Sequence, residues 1–126
     1  MRIFKTRAFQ RWLFKQPLCD RDLVAAVSVI EQGLVGANLG GYLYKQRIAL
    51  PGRGKRGSVR TLLAVKQKNK AFFLYGFEKN QRDTLSEKEV KAYKIIARTV
   101  LAYTDMELIQ RMNDGGLIEI EHDQEN

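Results

Sequence analysis

Ser58-Val59-Arg60-Thr61-Leu62-Leu63-Ala64-Val65-Lys66-Gln67-Lys68-Asn69-Lys70-Ala71-Phe72-Phe73-Leu74-Tyr75-Gly76-Phe77-Glu78 reads as two strands, about 58–67 and 70–78. The residues between them are too few for anything but an antiparallel hairpin, and both flanks are rich in β-branched and aromatic side chains. A third strand at about 43–50 precedes them, across the glycine-rich loop Pro51-Gly52-Arg53-Gly54-Lys55-Arg56-Gly57. Toward the N-terminus, Arg2–Lys5 predicts a short strand and residues 7–15 a helix with Phe9, Trp12 and Leu13 on one stripe. Pro17 closes that helix, because proline lacks an N–H and disfavours helical geometry before it. Asp20 is placed to cap a second helix in which Leu23, Val27 and Ile30 recur at near-helical spacing, and Gly33 stops it. Toward the C-terminus, Ser86-Glu87-Lys88-Glu89 is a capping box opening a long helix with Val90, Tyr93, Ala97, Val100 and Leu101 as its buried stripe. Asp105 can cap one more helix, ended by Gly115-Gly116, and Leu117–Glu121 alternates as a last strand with Ile118 and Ile120 inward. The order is β-α-α-β-β-β-α-α-β: an α+β fold with an antiparallel-rich sheet, an N-terminal helical hairpin and C-terminal helices.

The 126 residues make one domain, 1–126, with 44% hydrophobic residues to form a core. No apolar run approaches the roughly 20 residues of a bilayer span, and Lys5 and Arg7 interrupt any signal-peptide core, so the expected location is cytoplasmic. The net charge of +8 is unevenly spread. Between Tyr42 and Arg82 stand eleven Lys and Arg against one acid, Glu78, a local net of +10. From Asp105 to Asn126, seven acids face one base, Arg111, a net of −6. Such a local excess is the footprint of a polyanion-binding surface. One cysteine, Cys19, excludes an internal disulfide, and one histidine, His122, in an acidic tail supports neither a Ser-His-Asp nor a Cys-His arrangement. Together they cannot supply the ligands of a zinc site, and neither a metal nor a cofactor is expected. His122 reads as a surface residue and Cys19 as a small, semi-buried spacer.

Gly54-Lys55 invites a phosphate-loop reading, which fails because Arg56 and a strand follow where Ser or Thr and a helix are required. What remains is a glycine-rich loop whose Arg53 and Arg56 can grip phosphates bidentately, with Lys55 as a mobile charge. Lys45 and Arg47 share a strand face, as do Phe73, Tyr75, Phe77 and Lys79, and Arg60 starts the strand after the loop. Arg82 follows at the strand exit. If the register joins these faces, a groove with cationic walls and an aromatic floor forms, suited to single-stranded RNA, whose bases stack while its phosphates pair. Phe72, Phe73 and Leu74 are otherwise candidates for the core.

Arg2-Ile3-Phe4-Lys5-Thr6, Leu39-Gly40-Gly41-Tyr42-Leu43-Tyr44-Lys45, Pro51-Gly52-Arg53-Gly54-Lys55, Arg60-Thr61-Leu62 and Ala71-Phe72-Phe73-Leu74-Tyr75-Gly76-Phe77-Glu78-Lys79-Asn80 resemble the RelE/ParE superfamily of type II toxins. The likeness is to the RelE-like, HigB-like branch, usually paired with a helix-turn-helix antitoxin. It implies a microbial RNase fold and a metal-independent, ribosome-dependent mRNA endonuclease that inhibits translation. The implied partners are mRNA, the ribosome and a cognate antitoxin, with operator DNA reached only through the antitoxin and no membrane. On this chain the catalytic positions fall to Lys55, Arg60, Lys79 and Tyr75, with Tyr93 as an alternative to Tyr75. RNA binding falls to Lys45, Arg47, Arg53, Arg56, Phe77 and Arg82. With no histidine or glutamate at a matching position, lysine must move the protons. Cations beside Lys55 disfavour its charged form and suit it to act as a base, Arg60 would stabilise the phosphorane, and Lys79 would protonate the leaving oxygen. A ParE-like gyrase inhibitor and a non-catalytic RNA- or ribosome-binding protein remain the alternatives.

Overall fold

Ser58–Lys66 and Lys70–Glu78 do pair antiparallel, with Arg60 opposite Phe77 and Lys66 opposite Lys70. The structure, a computed structural model, describes residues 1–34, 36–50, 57–67, 69–78 and 85–122. Along the chain run β1 (Arg2–Thr6), α1 (Arg7–Leu13), α2 (Asp20–Glu31), β2 (Ala37–Gly40), β3 (Leu43–Ala49), β4 (Ser58–Lys66), β5 (Lys70–Glu78), α3 (Glu87–Leu101), α4 (Asp105–Asn113) and β6 (Leu117–Ile120). The strands form one six-stranded sheet in the order β2-β3-β4-β5-β1-β6. Only the β1–β5 pair is parallel. The α+β class and the antiparallel-rich sheet agree with the sequence reading.

Two apolar clusters sandwich the sheet. On one face α1 and α2 bury Phe9, Leu13, Leu23, Val27 and Ile30 against Ile3, Ile48, Val59, Leu63 and Phe73. On the other, α3 and α4 bring Ala97, Val100 and Leu108 onto Phe4, Leu43, Leu62, Ala64 and Phe72. Phe72 and Leu74 belong to one cluster and Phe73 to the other, so all three are core, as expected. Ile120 is buried with the hairpin, whereas Ile118 is only half-buried.

Helix ends follow local chemistry, with some shifts from expectation. Ser86 and Glu89 form the expected capping box, with reciprocal hydrogen bonds of 3.0 and 3.1 Å. At α2 the cap is Cys19 and not Asp20: the Asp22 carboxylate accepts the Cys19 backbone N–H at 2.9 Å, and Asp20 is the first helical residue. Cys19 is exposed, which corrects its assignment as a semi-buried spacer. At α4 the cap is Thr104 and not Asp105, because Thr104 and Glu107 make a second reciprocal capping box. α1 ends at Leu13, before Pro17 can act. Gly33 and Gly115, at φ +85° and +83°, end α2 and α4 in Schellman turns. The added strand is β2: Ala37–Gly40, to which the sequence reading gave no strand, pairs with β3 before the chain reverses at Gly41-Tyr42.

Candidate functional site

β3, β4 and β5 carry the basic stretch, and their register decides which side chains meet. Arg47 lies opposite Arg60, and Arg60 opposite Phe77. One step along, Lys45 lies opposite Leu62 and Leu62 opposite Tyr75. Directly opposed residues in antiparallel strands point to the same face, with Cβ atoms about 4.5–5.5 Å apart. Two adjacent rows therefore run across three strands: Arg47–Arg60–Phe77 and Lys45–Leu62–Tyr75. This is the face that α3 covers.

A β-bulge makes the alignment possible. Leu63 opposes Phe73 and Leu62 opposes Tyr75, which leaves Leu74 as an extra residue in β5. Up to Phe73 the strand keeps one phase; after Leu74 it keeps the other. Phe73 consequently faces the N-terminal hairpin, stacked near Phe9 at 5.2 Å, while Tyr75 and Phe77 face Arg60. The expectation that Phe73, Tyr75 and Phe77 share one face is corrected by this single insertion. An unbroken alternation would have sent Tyr75 and Phe77 to the side opposite Arg60.

Arg47 is exposed, and Lys45, Arg60 and Tyr75 are half-buried. The Arg60 guanidinium donates from Nη1 to Ser58 Oγ at 2.9 Å, which holds it along its own strand. Among the described residues no carboxylate pairs with Arg60. Arg47 directly opposite Arg60 puts two guanidinium side chains on one patch of the sheet face. Tyr75 stacks on Phe77 at 5.8 Å and on Tyr93 of α3 at 5.2 Å. Phe77 is 3% exposed, so its ring supports Tyr75 and offers no open stacking surface of its own. Gly76, between them, faces the other way, and a Cβ there would collide with the Trp12 indole.

The remaining expected site residues, Arg53, Lys55, Arg56, Lys79 and Arg82, lie outside the described residues. Of the described residues that flank those segments, Leu50, Gly57 and Glu78 stand at the Arg47–Arg60 end of the sheet. Leu50 N–H donates to Gly57 C=O at 2.7 Å, and Glu78 opposes Val59. Ser58 was missed in the sequence, though its place two residues before Arg60 put it on the same strand face. His122 is remote: its Nε2 meets the Met1 carbonyl at 3.0 Å, at the opposite end of the sheet. Among the described residues no three His, Cys, Asp or Glu side chains converge as metal ligands.

A family model described as RelE toxin of RelE / RelB toxin-antitoxin system matches residues 1–120. The chain belongs to the RelE toxin family. No curated protein matches it at a significant level. As a RelE toxin it is one half of a toxin–antitoxin system, and a cognate antitoxin is its implied partner. No helix among the described residues is long and apolar enough to cross a membrane. For this RelE toxin the family assignment rests on nearly the whole chain, and the two-row patch is its most concentrated arrangement of cations and aromatic rings.

Proposed function

We propose that this RelE toxin is an endoribonuclease that cuts mRNA on the ribosome and so inhibits translation, and that its antitoxin silences it by covering the basic face. The observation that supports this best is the cross-strand Arg47–Arg60 pair, set beside the row that carries Tyr75, with no carboxylate on Arg60 among the described residues. A phosphodiester between the two guanidiniums would be held by charge-assisted, bidentate hydrogen bonds. The ribose 2′-OH gives its proton to a base and its oxygen attacks the adjacent phosphorus. Negative charge collects on the phosphorane oxygens. The P–O5′ bond then breaks and the 5′-oxygen takes a proton, leaving a 2′,3′-cyclic phosphate and a 5′-hydroxyl.

In this scheme Arg60, fixed by Ser58, stabilises the phosphorane, and Arg47 with Lys45 positions the strand. Lys55 is the base, Lys79 the acid, and Tyr75 orients the scissile nucleotide, with Phe77 and Tyr93 holding its ring. Arg53, Arg56 and Arg82 add phosphate contacts. Lysines are imperfect proton carriers near neutral pH, so cleavage of free RNA is slow and the ribosome contributes orientation.

A ribosome-programmed cleavage assay on a defined message, read by primer extension, tests the reading. Cuts that require ribosomes and fall about 10²–10³-fold in Arg60→Ala are expected, the usual effect of removing one preorganised donor. Undiminished cleavage in Arg60→Ala would overturn the role of Arg60. Growth arrest without any cleavage would favour a gyrase inhibitor or a non-catalytic ribosome binder.

A further inference from the structure

β1 ends early, and the space it leaves is a cleft. Thr6 turns the chain into α1 by accepting the Phe9 N–H at 3.2 Å, and β1 pairs with β5 only as far as Phe73. Past that point no described strand occupies the lane beside Leu74–Phe77 on this edge. In its place lies a hollow of about 330 Å³. Its walls are Ala8, Phe9 and Trp12 of α1 on one side and Tyr93 of α3 on the other, and Tyr75 and Gly76 of β5 form its floor. Leu74 and Phe77 complete the lining, so its large side chains are five aromatic rings and one leucine.

The rings are held in place. Trp12 lies directly over Gly76, where any Cβ would collide with the indole, so glycine is what lets the indole reach the strand. Phe9 braces Trp12 at 5.3 Å, and Tyr93 stacks on Tyr75 at 5.2 Å. The lining is dominated by aromatic rings and carries no charge of its own, and it lies across β5 from the cationic rows. Neighbouring strands are spaced about 4.8 Å apart, so the vacated lane is about 10 Å from the strand that carries Arg60. That separation suits a base belonging to a nucleotide adjacent to the phosphate held there.

We propose that this cleft is a nucleobase subsite: one unpaired base of the RNA leaves the strand beside the cut and stacks on Trp12, against the edge of the Tyr75–Tyr93 pair. The proposal rests on the endoribonuclease reading above. It adds to that reading a specificity-determining pocket on the opposite edge of β5 from the arginines, with Trp12 and Ala8 as its determinants.

The decisive experiment walks a single abasic ribose through the message around the cut and measures ribosome-programmed cleavage by wild type and by Ala8→Leu. Ala8 is exposed on α1, and leucine is a good helix former, so the substitution narrows the cleft and leaves the melting temperature unchanged. Stacking on an aromatic platform has a typical worth that corresponds to about 5- to 100-fold per base. Wild type should lose about that factor at one abasic position only. Ala8→Leu should cut the intact message slower by a similar factor and be indifferent to the abasic site, a non-additivity that a merely structural role does not produce. Trp12 is the chain's one tryptophan, so its emission reports the cleft directly. Under conditions where anisotropy shows a short oligoribonucleotide bound, that emission should be quenched, and less so by the abasic version. Normal cleavage with no position-specific abasic effect, or bound RNA with unchanged emission, overturns the cleft alone and leaves the nuclease reading standing. Absence of cleavage with or without ribosomes overturns both.

Discussion

The two faces of β3, β4 and β5 are built from alternate residues of the same three strands, yet they end up with opposite fates. On the hairpin face, α1 and α2 cover the sheet to its end: Ile48, Leu50, Val59, Leu63 and Phe73 are all buried there. Even a charge is buried on that face, the Lys5 ammonium, 2.6 Å from Asp20. On the other face, α3 packs on Leu43, Leu62, Ala64 and Phe72, and the apolar surface stops there. Lys45 lies beside Leu62, and beyond it come Arg60 and Arg47. A strand side chain on this face is thus core or site largely according to whether a helix reaches it, and the bulge at Leu74 puts Tyr75 and Phe77 on the same face as the arginines.

Truncation in the covered part should therefore act on stability and leave the chemistry untested. Phe72 is fully buried and stacked on Phe4 at 4.9 Å. Phe72→Ala should cost about 3–5 kcal/mol, the usual range for emptying such a site, and urea denaturation measures it. In a domain of this size that is a large share of total stability. Arg60→Ala is the counterpart in the uncovered part. It should lower cleavage by about 3–4 kcal/mol of barrier while shifting the urea midpoint by less than about 1 kcal/mol. If the two losses were equal in stability, Arg60 would be a structural residue and the contrast between the ends would fail.

How much of this was legible in the sequence differs by element. The β3–β5 sheet and α3 follow from local side-chain patterns: β-branched and aromatic runs around short connections, then Ser86 with Glu89. The stop at Gly115 followed from glycine's access to positive φ. β2 left no such mark, since Ala37-Asn38-Leu39-Gly40 has few residues with strand preference and a pairing shift near Gly40. The cap of α2 was misplaced because Cys19 is a poor side-chain acceptor, and Asp22 does the work from three residues on. The bulge was invisible for a different reason. Phe72-Phe73-Leu74 is apolar in both phases, so inserting one residue there changes no visible period. Arg47 and Arg60 were both named as site residues, but their opposition is a property of register that spacing within either strand does not contain.

The buried charge on the covered face gives a smaller test. Lys5 is 4% exposed and its partner Asp20 is 46% exposed, so the two ends of the pair should respond unequally. Asp20→Ala leaves a buried ammonium with its partner gone and should cost about 1–3 kcal/mol, less than for a fully buried pair because water reaches the vacated position. Lys5→Met removes the buried charge and leaves a solvated carboxylate, and should stay within about 1 kcal/mol of wild type. Denaturation of the two variants side by side checks the asymmetry. Equal losses would mean that the pair positions the α1–α2 connection and is not a matter of desolvation.

The smallest effect separates the two kinds of arginine in the molecule. Arg2 donates to both Glu119 oxygens, at 2.8 and 2.9 Å, across the β1–β6 edge, whereas Arg60 donates to the Ser58 hydroxyl. The hydrogen bonds from Arg2 hold the Glu119 carboxyl below its ordinary range; partial burial opposes this, and the attraction of the Arg2 charge adds to it. A carboxyl depressed in the folded state contributes stability that is complete above the unfolded value, near about 4.3, and is lost as pH falls through the folded one. Because both side chains are about one-third exposed, solvent screening limits that contribution to about 0.5 kcal/mol. Glu119→Gln should therefore be less stable than wild type by about that amount at neutral pH and equal to it in strong acid, as urea midpoints at the two pH values would show. Arg60→Ala should show no such convergence, because among the described residues no carboxylate pairs with Arg60; a pH-dependent gap there would mean that its charge is already neutralised within the protein and is not held open for a phosphate.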